Sequence, residues 1–223
     1  MSKKICVAID GPAGAGKTTI AREVSRRLGL KYVDTGAMYR AVAWKLIREG
    51  IPLSDENAIV EMCRRTLIDF AEGDGSRIFV DGQELSTEIR TPEVTRLSSP
   101  VSAISGVRKL LVDRQRKLAG ECGVVMEGRD IGSVVMPNAD VKVFLTASVE
   151  ERARRRFLEM QAKGITVDIA NLKHEIEERD HRDSTRSDSP LVKVPDAVEV
   201  DTDKLTIEQV IERIIGLCPE RSV

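Results

Sequence analysis

Eight consecutive residues, Gly11-Pro12-Ala13-Gly14-Ala15-Gly16-Lys17-Thr18, carry the spacing G-x-x-x-x-G-K-[ST]. Glycines in that pattern let successive backbone N–H groups converge on an anion. Lys17 then reaches the outer phosphates of a nucleotide, Thr18 offers a hydroxyl to Mg²⁺, and Thr19 continues the phosphate-binding turn. The chemistry to expect is phosphoryl transfer. It needs positioned positive charge, because charge spreads over the moving group while little covalent work falls to the protein.

Further cations lie at Arg40, at Arg129, at Arg152 with Arg154, Arg155 and Arg156, and at Arg179, Arg182 and Arg186. The last three share one helical face if a helix runs through them. Guanidinium groups suit phosphates because they bind two oxygens at once. Plainer readings stand beside these. The Arg152 and Arg179 groups can be solvated faces paired with Glu150, Glu151, Asp180 and Asp183. Asp130 can simply pair with its neighbour Arg129, and Asp34 can cap a helix instead of serving Mg²⁺ or a substrate phosphate.

The elements that must position these residues alternate. Ile5, Val7 and Ile9 with Cys6 and Ala8 form an apolar run, as in a central parallel strand covered on both faces. A helix follows from Lys17 to about Leu28, its dipole adding to the anion site. A second strand over 30–33 delivers Asp34-Thr35-Gly36, and helices are expected over 37–49 and from Ser54 to about Arg65. Between Thr66 and Ile89, turn residues at 73–75 and Asp81-Gly82 separate β-formers, including a run from Glu84 to Ile89, and predict a small antiparallel sheet. Helices over 92–98 and 101–119 precede a strand over 123–127 and the loop Gly128-Arg129-Asp130-Ile131-Gly132. After a strand over 141–145, Ser148 and Glu151 form a capping box. The helix behind them ends at Lys163-Gly164, another runs from about Asp168 to Asp183, and a strand over 197–201 and a helix over 206–215 close the chain. Five strands alternating with helices predict a three-layer α/β fold around a parallel sheet. Ligands of such sheets bind beyond the carboxyl ends of the strands, so 10–18, 34–36, 128–130 and 146–147 should line one rim.

The 223 residues fit one domain with appendages. Thirty-five basic residues against thirty-six acidic ones and 3% aromatics argue against a nucleic-acid or membrane partner. Four scattered cysteines without a C-x-x-C pair predict reduced thiols in a cytosolic protein, and no signal peptide or membrane span is expected. His174 and His181, both in charged surroundings, do not suggest zinc or a histidine triad, and Trp44 reads as core. The chain has no Asn-Lys-x-Asp, which disfavours a small GTPase. It also has no apolar strand ending in Asp-Glu of the mechanical ATPase type, since the candidate ends in Met126-Glu127-Gly128. A small-molecule kinase fits better.

Longer blocks sharpen this reading. The glycine loop, Asp34-Thr-Gly-Ala-Met-Tyr-Arg40, Glu88-Ile-Arg-Thr-Pro-Glu-Val94, Val107-Arg108 with Arg114-Gln-Arg116, Glu127-Gly-Arg-Asp-Ile-Gly132 and Glu178-Arg-Asp-His-Arg-Asp-Ser-Thr-Arg186 resemble bacterial cytidylate kinases, in order from about residue 4 to 215. The resemblance implies a single domain over 1–223 with a three-layer P-loop kinase fold and a five-stranded parallel sheet. A β-rich insert over 67–95 would bind the monophosphate and a helical lid would span 148–183. It also implies ATP-dependent, Mg²⁺-assisted phosphorylation of CMP and dCMP in the cytoplasm by a monomer. By matching positions, Ser99, Arg108, Asp130 and Arg186 would surround the cytosine, and Arg179 and Asp183 the ribose. Asp34, Thr35, Arg40 and Arg129 would face the monophosphate, Arg155 and Arg156 would belong to a lid over the triphosphate, and Lys17, Arg129, Arg155 and Arg156 would be the catalytic residues. Thr35 stands where many relatives carry serine, and the choice of Ser99 over Ser98 rests on register with Glu88 to Val94. Competing readings are a kinase for another small acceptor, such as shikimate or a different nucleoside monophosphate, and a nucleotide-gated binding protein.

Overall fold

The computed structural model describes residues 5–71, 74–120, 123–162 and 164–219. In chain order the strands are β1 (Cys6–Asp10), β2 (Lys31–Asp34), β3 (Ile68–Ala71), β4 (Asp74–Val80), β5 (Gln83–Leu85), β6 (Val124–Gly128), β7 (Val141–Thr146) and β8 (Val198–Asp201). The helices are α1 (Lys17–Leu28), α2 (Thr35–Glu49), α3 (Glu56–Arg65), α4 (Pro92–Ala103), α5 (Ser105–Ala119), α6 (Val149–Ala162), α7 (Ile169–Thr185) and α8 (Ile207–Ile215).

Five strands form a parallel sheet in the order β2-β6-β1-β7-β8. β1 is central because its residues are apolar on both faces. Ile5, Val7 and Ile9 pack with α1 and α8 through Ile20, Val24, Val210 and Ile211. Cys6 and Ala8 face the opposite layer with Met126, Ile131 and Val112. A third cluster joins α2, α3, α4 and α5 to the small antiparallel sheet β3-β4-β5 through Met38, Met62, Ile78, Leu85 and Leu111. Register brings Asp34 opposite Glu127 and Asp10 opposite Gly128, so three strands end at one level. Among the described residues no helix is long and apolar enough to cross a membrane.

Several expectations shift. Asp34 accepts a hydrogen bond from the Ala37 N–H at 3.0 Å, so α2 starts at Thr35 instead of Ala37. The Glu84–Ile89 strand stops at Leu85, and Glu88–Arg90 is a 3₁₀ turn. Pro100 does not divide α4, which continues to Ala103 with Val94, Ser98, Ser99 and Val101 buried. The Ser148 box is half made: Ser148 Oγ accepts from the Glu151 N–H at 3.2 Å, but the Glu151 carboxylate is drawn to Arg154 and Arg155. Residues 131–135 form a π turn that no sequence signal indicated. Trp44 is only partly buried, with the Arg48 guanidinium 5.0 Å from its ring. The expectation of four reduced thiols fails at Cys6, which is disulfide-bonded; Cys63 and Cys218 are free, and Cys122 lies outside the described residues. Gly73 and Lys163, expected at a turn and a helix end, also lie outside them.

One glycine joins sheet and site. Gly11 adopts φ 147°, and a Cβ there would stand 2.0 Å from the Leu145 carbonyl oxygen on β7. The oxygen belongs to backbone and a Cβ is fixed by its own Cα, so neither can rotate away. Gly11→Ala should therefore lower stability by about 3 kcal/mol or more. A thermal melt would register that as a fall in Tm of at least about 6 °C, and a Tm within a degree of the parent would contradict the close approach.

Candidate active site

The glycine loop wraps between β1 and α1 with Gly14 at φ 80° and Gly16 at φ 89°. Gly16 supplies no side-chain cap and the first turn of α1 carries no acidic residue, so that helix start is open to an anion. Lys17 lies within it, 6% exposed, and donates from Nζ to the Pro12 carbonyl at 2.7 Å. Burial, reinforced by the nearby Arg129, lowers its pKa to about 7. A phosphate is the partner that would restore the full charge.

Below the loop sits a residue the sequence reading set aside. Glu127, at the end of β6, is 3% exposed and accepts from Tyr32 Oη at 2.5 Å, and the Thr18 side chain also hydrogen-bonds to it. Burial and the neighbouring Asp34 raise its pKa. The signal for it is an apolar strand ending in a single carboxylate, Met126-Glu127-Gly128, without the paired Asp-Glu of the mechanical ATPases. Thr18 and Glu127 form an oxygen-only pair suited to a hard cation such as Mg²⁺. Among the described residues no group of three or more His, Cys, Asp or Glu could hold a metal, so a cation there would need phosphate oxygens as well.

Beyond the loop, buried carboxylates hold arginines drawn from several elements. Asp34 pairs with Arg40 at 2.8 Å and stands 3.8 Å from Arg90. Its pKa ends lowered because those cations outweigh burial. Asp130 accepts from Arg108 on α5 at 2.8 Å and lies 4.0 Å from Arg186. Arg129 turns the other way and donates to Asp183 on α7 at 2.9 Å. The plain reading that Asp130 pairs with Arg129 does not hold, because Arg108 engages Asp130 while Asp183 engages Arg129. Asp183 is also 3.9 Å from Arg179 and 3.7 Å from Arg186. Burial works against its charge, but the three arginines win and its pKa is lowered. Arg186 reaches this cluster from beyond the helix, since α7 ends at Thr185 and Arg186 is extended. Thr35 donates to the Glu127 carbonyl at 2.7 Å, and any Cβ at Gly128 would come within 2.6 Å of that hydroxyl.

The two candidate serines separate cleanly. Ser98 Oγ donates to the Thr95 carbonyl of its own helix at 2.8 Å, whereas Ser99 Oγ accepts from Arg182 on α7 at 2.8 Å. Sequence reasoning missed Tyr39 and Gln115, both buried. The Arg108 guanidinium lies 5.1 Å from the Tyr39 ring, and the Gln115 side chain stands beside the Tyr39 hydroxyl.

The arginines of α6 divide as well. Arg155 bonds Thr202 through Oγ1 at 3.0 Å and its carbonyl at 2.8 Å, beside Gly16. Arg156 pairs outward with Glu159 at 3.1 Å and, among the described residues, joins none of the site. The buried member is Arg152, which spacing did not single out from its neighbours. It contacts Asp180 at 2.6 Å, Ala147 O at 3.0 Å and Ala13 O at 3.2 Å, tying α6 to both the glycine loop and α7.

A glycine loop with an inward lysine after the central strand of this parallel sheet, faced by arginines from the surrounding helices, defines a P-loop phosphotransferase. Residues 7–220 match the family model for cytidylate kinase, and the chain belongs to that family. It is 54% identical to the cytidylate kinase of Desulforamulus reducens over 96% of this chain and 97% of that one. It is 51% identical to that of Listeria monocytogenes over 97% of both. Among solved structures, an uncharacterized protein from Eubacterium ventriosum shares the fold at a TM-score of 0.50 and 13% identity, covering 96% of this chain and 97% of that one.

Asp10 ties the two loops together, accepting from the Ile131 and Gly132 N–H groups at 2.8 Å each. Burial still raises its pKa from the ordinary 3.8 to about 6. Between those values the folded chain holds a proton that the unfolded chain releases, so this group's contribution to stability falls as pH rises from 4 to 6. Asp10→Asn removes that component. Urea unfolding of both proteins between pH 4 and 7 should move the stability difference toward the variant by about 2–3 kcal/mol. A difference that stays flat with pH would contradict the shift.

Proposed function

We propose that the chain transfers the γ-phosphoryl group of ATP to a phosphate oxygen of CMP or dCMP, releasing ADP and CDP or dCDP. The observation that carries this reading is the pairing pattern around Asp130 and Asp183. One carboxylate sits between two arginines where a base with both donors and acceptors can be read, and the other gathers three arginines around a place for ribose and phosphate. Family membership and relatives that are themselves cytidylate kinases support it.

In this reading the glycine loop from Gly11 to Thr19 cradles the ATP phosphates, and Lys17 balances charge where the bond to the leaving oxygen breaks. Thr18 and Glu127 would hold Mg²⁺, which when bound neutralises charge on the phosphate oxygens. Arg40, Arg129 and Thr35 would receive the CMP phosphate. Asp34 and Asp183 hold the two arginines in position until it arrives. Arg179 and Asp183 would address the ribose, and Ser99, Arg108, Asp130 and Arg186 the cytosine. Cytosine presents an amino donor and two acceptors, which a carboxylate and arginine or hydroxyl donors complement. The region 148–183 would close as a lid, with Arg152 already docked on the glycine loop and Arg155 nearest to it. Closure excludes water, as transfer to an acceptor other than water requires. A cytoplasmic setting, where both nucleotides occur, goes with this reading.

A coupled assay of ADP release with CMP, dCMP, UMP, AMP and shikimate should give turnover with CMP and dCMP well above the others, and equal turnover with AMP or shikimate would overturn the assignment. Lys17→Ala should lower kcat by about a thousandfold or more. Its thermal melt should hold, because the change removes a cation whose burial is unfavourable. Activity within tenfold of the parent would reject the role of Lys17.

A further inference from the structure

Ser99 and Arg182 meet across the gap between α4 and α7, and neither residue type alone accounts for what the pairing does. Arginine can only donate hydrogen bonds, while a serine hydroxyl has one proton and two lone pairs. With Arg182 Nη1 2.8 Å from Ser99 Oγ, one lone pair is taken. Among the described residues no acceptor is found for the Ser99 proton. Ser98 differs, its proton spent on the Thr95 carbonyl, and Ser102 likewise donates to the Ser99 carbonyl at 2.8 Å. Ser99 is therefore the one hydroxyl of this stretch, Ser98 to Ser102, polarised by a fixed cation, and it is buried at 4% exposure.

We propose that Arg182 is a positioning residue for base selection: by taking one lone pair of the Ser99 oxygen it orients the hydroxyl and favours donation of the Ser99 proton toward the acceptor base. That polarity suits the unprotonated ring nitrogen of cytosine. Uracil carries N–H at the same place, so two donors would face each other in a buried pocket. A free hydroxyl would instead rotate and accept from that N–H. The pairing also joins base reading to the lid, since Arg182 lies on α7, three residues after Arg179 and beside Asp183. The α7 helix must be seated for Ser99 to have its selective polarity. This inference rests on the reading that Ser99 faces the base.

Three variants separate the two ideas. Arg182→Met keeps length and removes the donor, Arg182→Lys keeps a group that can only donate, and Ser99→Ala removes the hydroxyl. Each is assayed for kcat and KM with CMP and with UMP, at saturating ATP, alongside the double variant Arg182→Met/Ser99→Ala. Arg182→Met should narrow the CMP-to-UMP ratio of kcat/KM by roughly tenfold. The loss should fall mainly on KM for CMP and leave KM for ATP unchanged, and Arg182→Lys should restore part of the ratio. In the Ser99→Ala background the Arg182 change should have no further effect on the ratio, because it acts through that hydroxyl. If Ser99→Ala alters the ratio but the Arg182 effect simply adds to it, the proposal fails while Ser99 keeps its place. If Ser99→Ala leaves the ratio untouched, Ser99 does not read the base and both ideas fall. A rise in KM for ATP would make Arg182 a phosphate ligand and overturn its positioning role.

Discussion

Pairing of buried arginines with buried carboxylates is the interaction on which the site depends. Arg108 and Asp130 are 2% and 3% exposed, and the Arg186 side chain is as enclosed as theirs. Charges so placed lose several kcal/mol of hydration each, which only close opposite charge and hydrogen bonds offset. The chain meets that requirement by spreading two aspartates, Asp130 and Asp183, among arginines from α5, the β6 loop and α7. Such a lattice adds little net stability. Its effect is positional, because breaking any pair leaves a stranded buried charge, and so the arginines are held apart and aimed before a substrate arrives.

The same logic explains the anion site. Lys17 is buried with the pKa of its ammonium depressed and its proton directed at a loop carbonyl, Glu127 is buried with its pKa raised, and Asp10 spends its carboxylate on two amides of the opposite loop. Each group is poorly satisfied in charge until phosphate or a cation supplies the missing partner. That is the electrostatic condition expected of a site preorganised for a more highly charged occupant.

Much of this was legible in the sequence because its carriers are local. The glycine loop follows from spacing, β1 from an apolar run, the insert from Asp81-Gly82 between β-formers, and the rim from alternating strands and helices. The blocks shared with cytidylate kinases located Asp130, Asp183 and Arg186 before any geometry was known. What escaped depends on distance in three dimensions. Whether Asp130 pairs with Arg129 or Arg108 is decided by a residue 22 positions away. Arg152 and Arg156 look equivalent in sequence, and only the placement of Asp180 and Ala13 buries the first and leaves the second paired outward. Glu127 was discounted for lacking an acidic neighbour. The disulfide at Cys6 could not be read from four scattered cysteines.

The central claim is that the lattice reads cytosine through Asp130 while Asp183 holds Arg129 for the phosphate. Asp130→Asn tests it most directly, because an amide keeps the shape but can donate to the carbonyl of uracil as well as accept from the amine of cytosine. Measured as kcat/KM with CMP and UMP, the account predicts a fall for CMP and a smaller fall, or a rise, for UMP, changing discrimination by about tenfold or more. Loss of the same factor for both nucleotides would contradict it, leaving Asp130 as a counter-ion for Arg108 with no part in choosing the base.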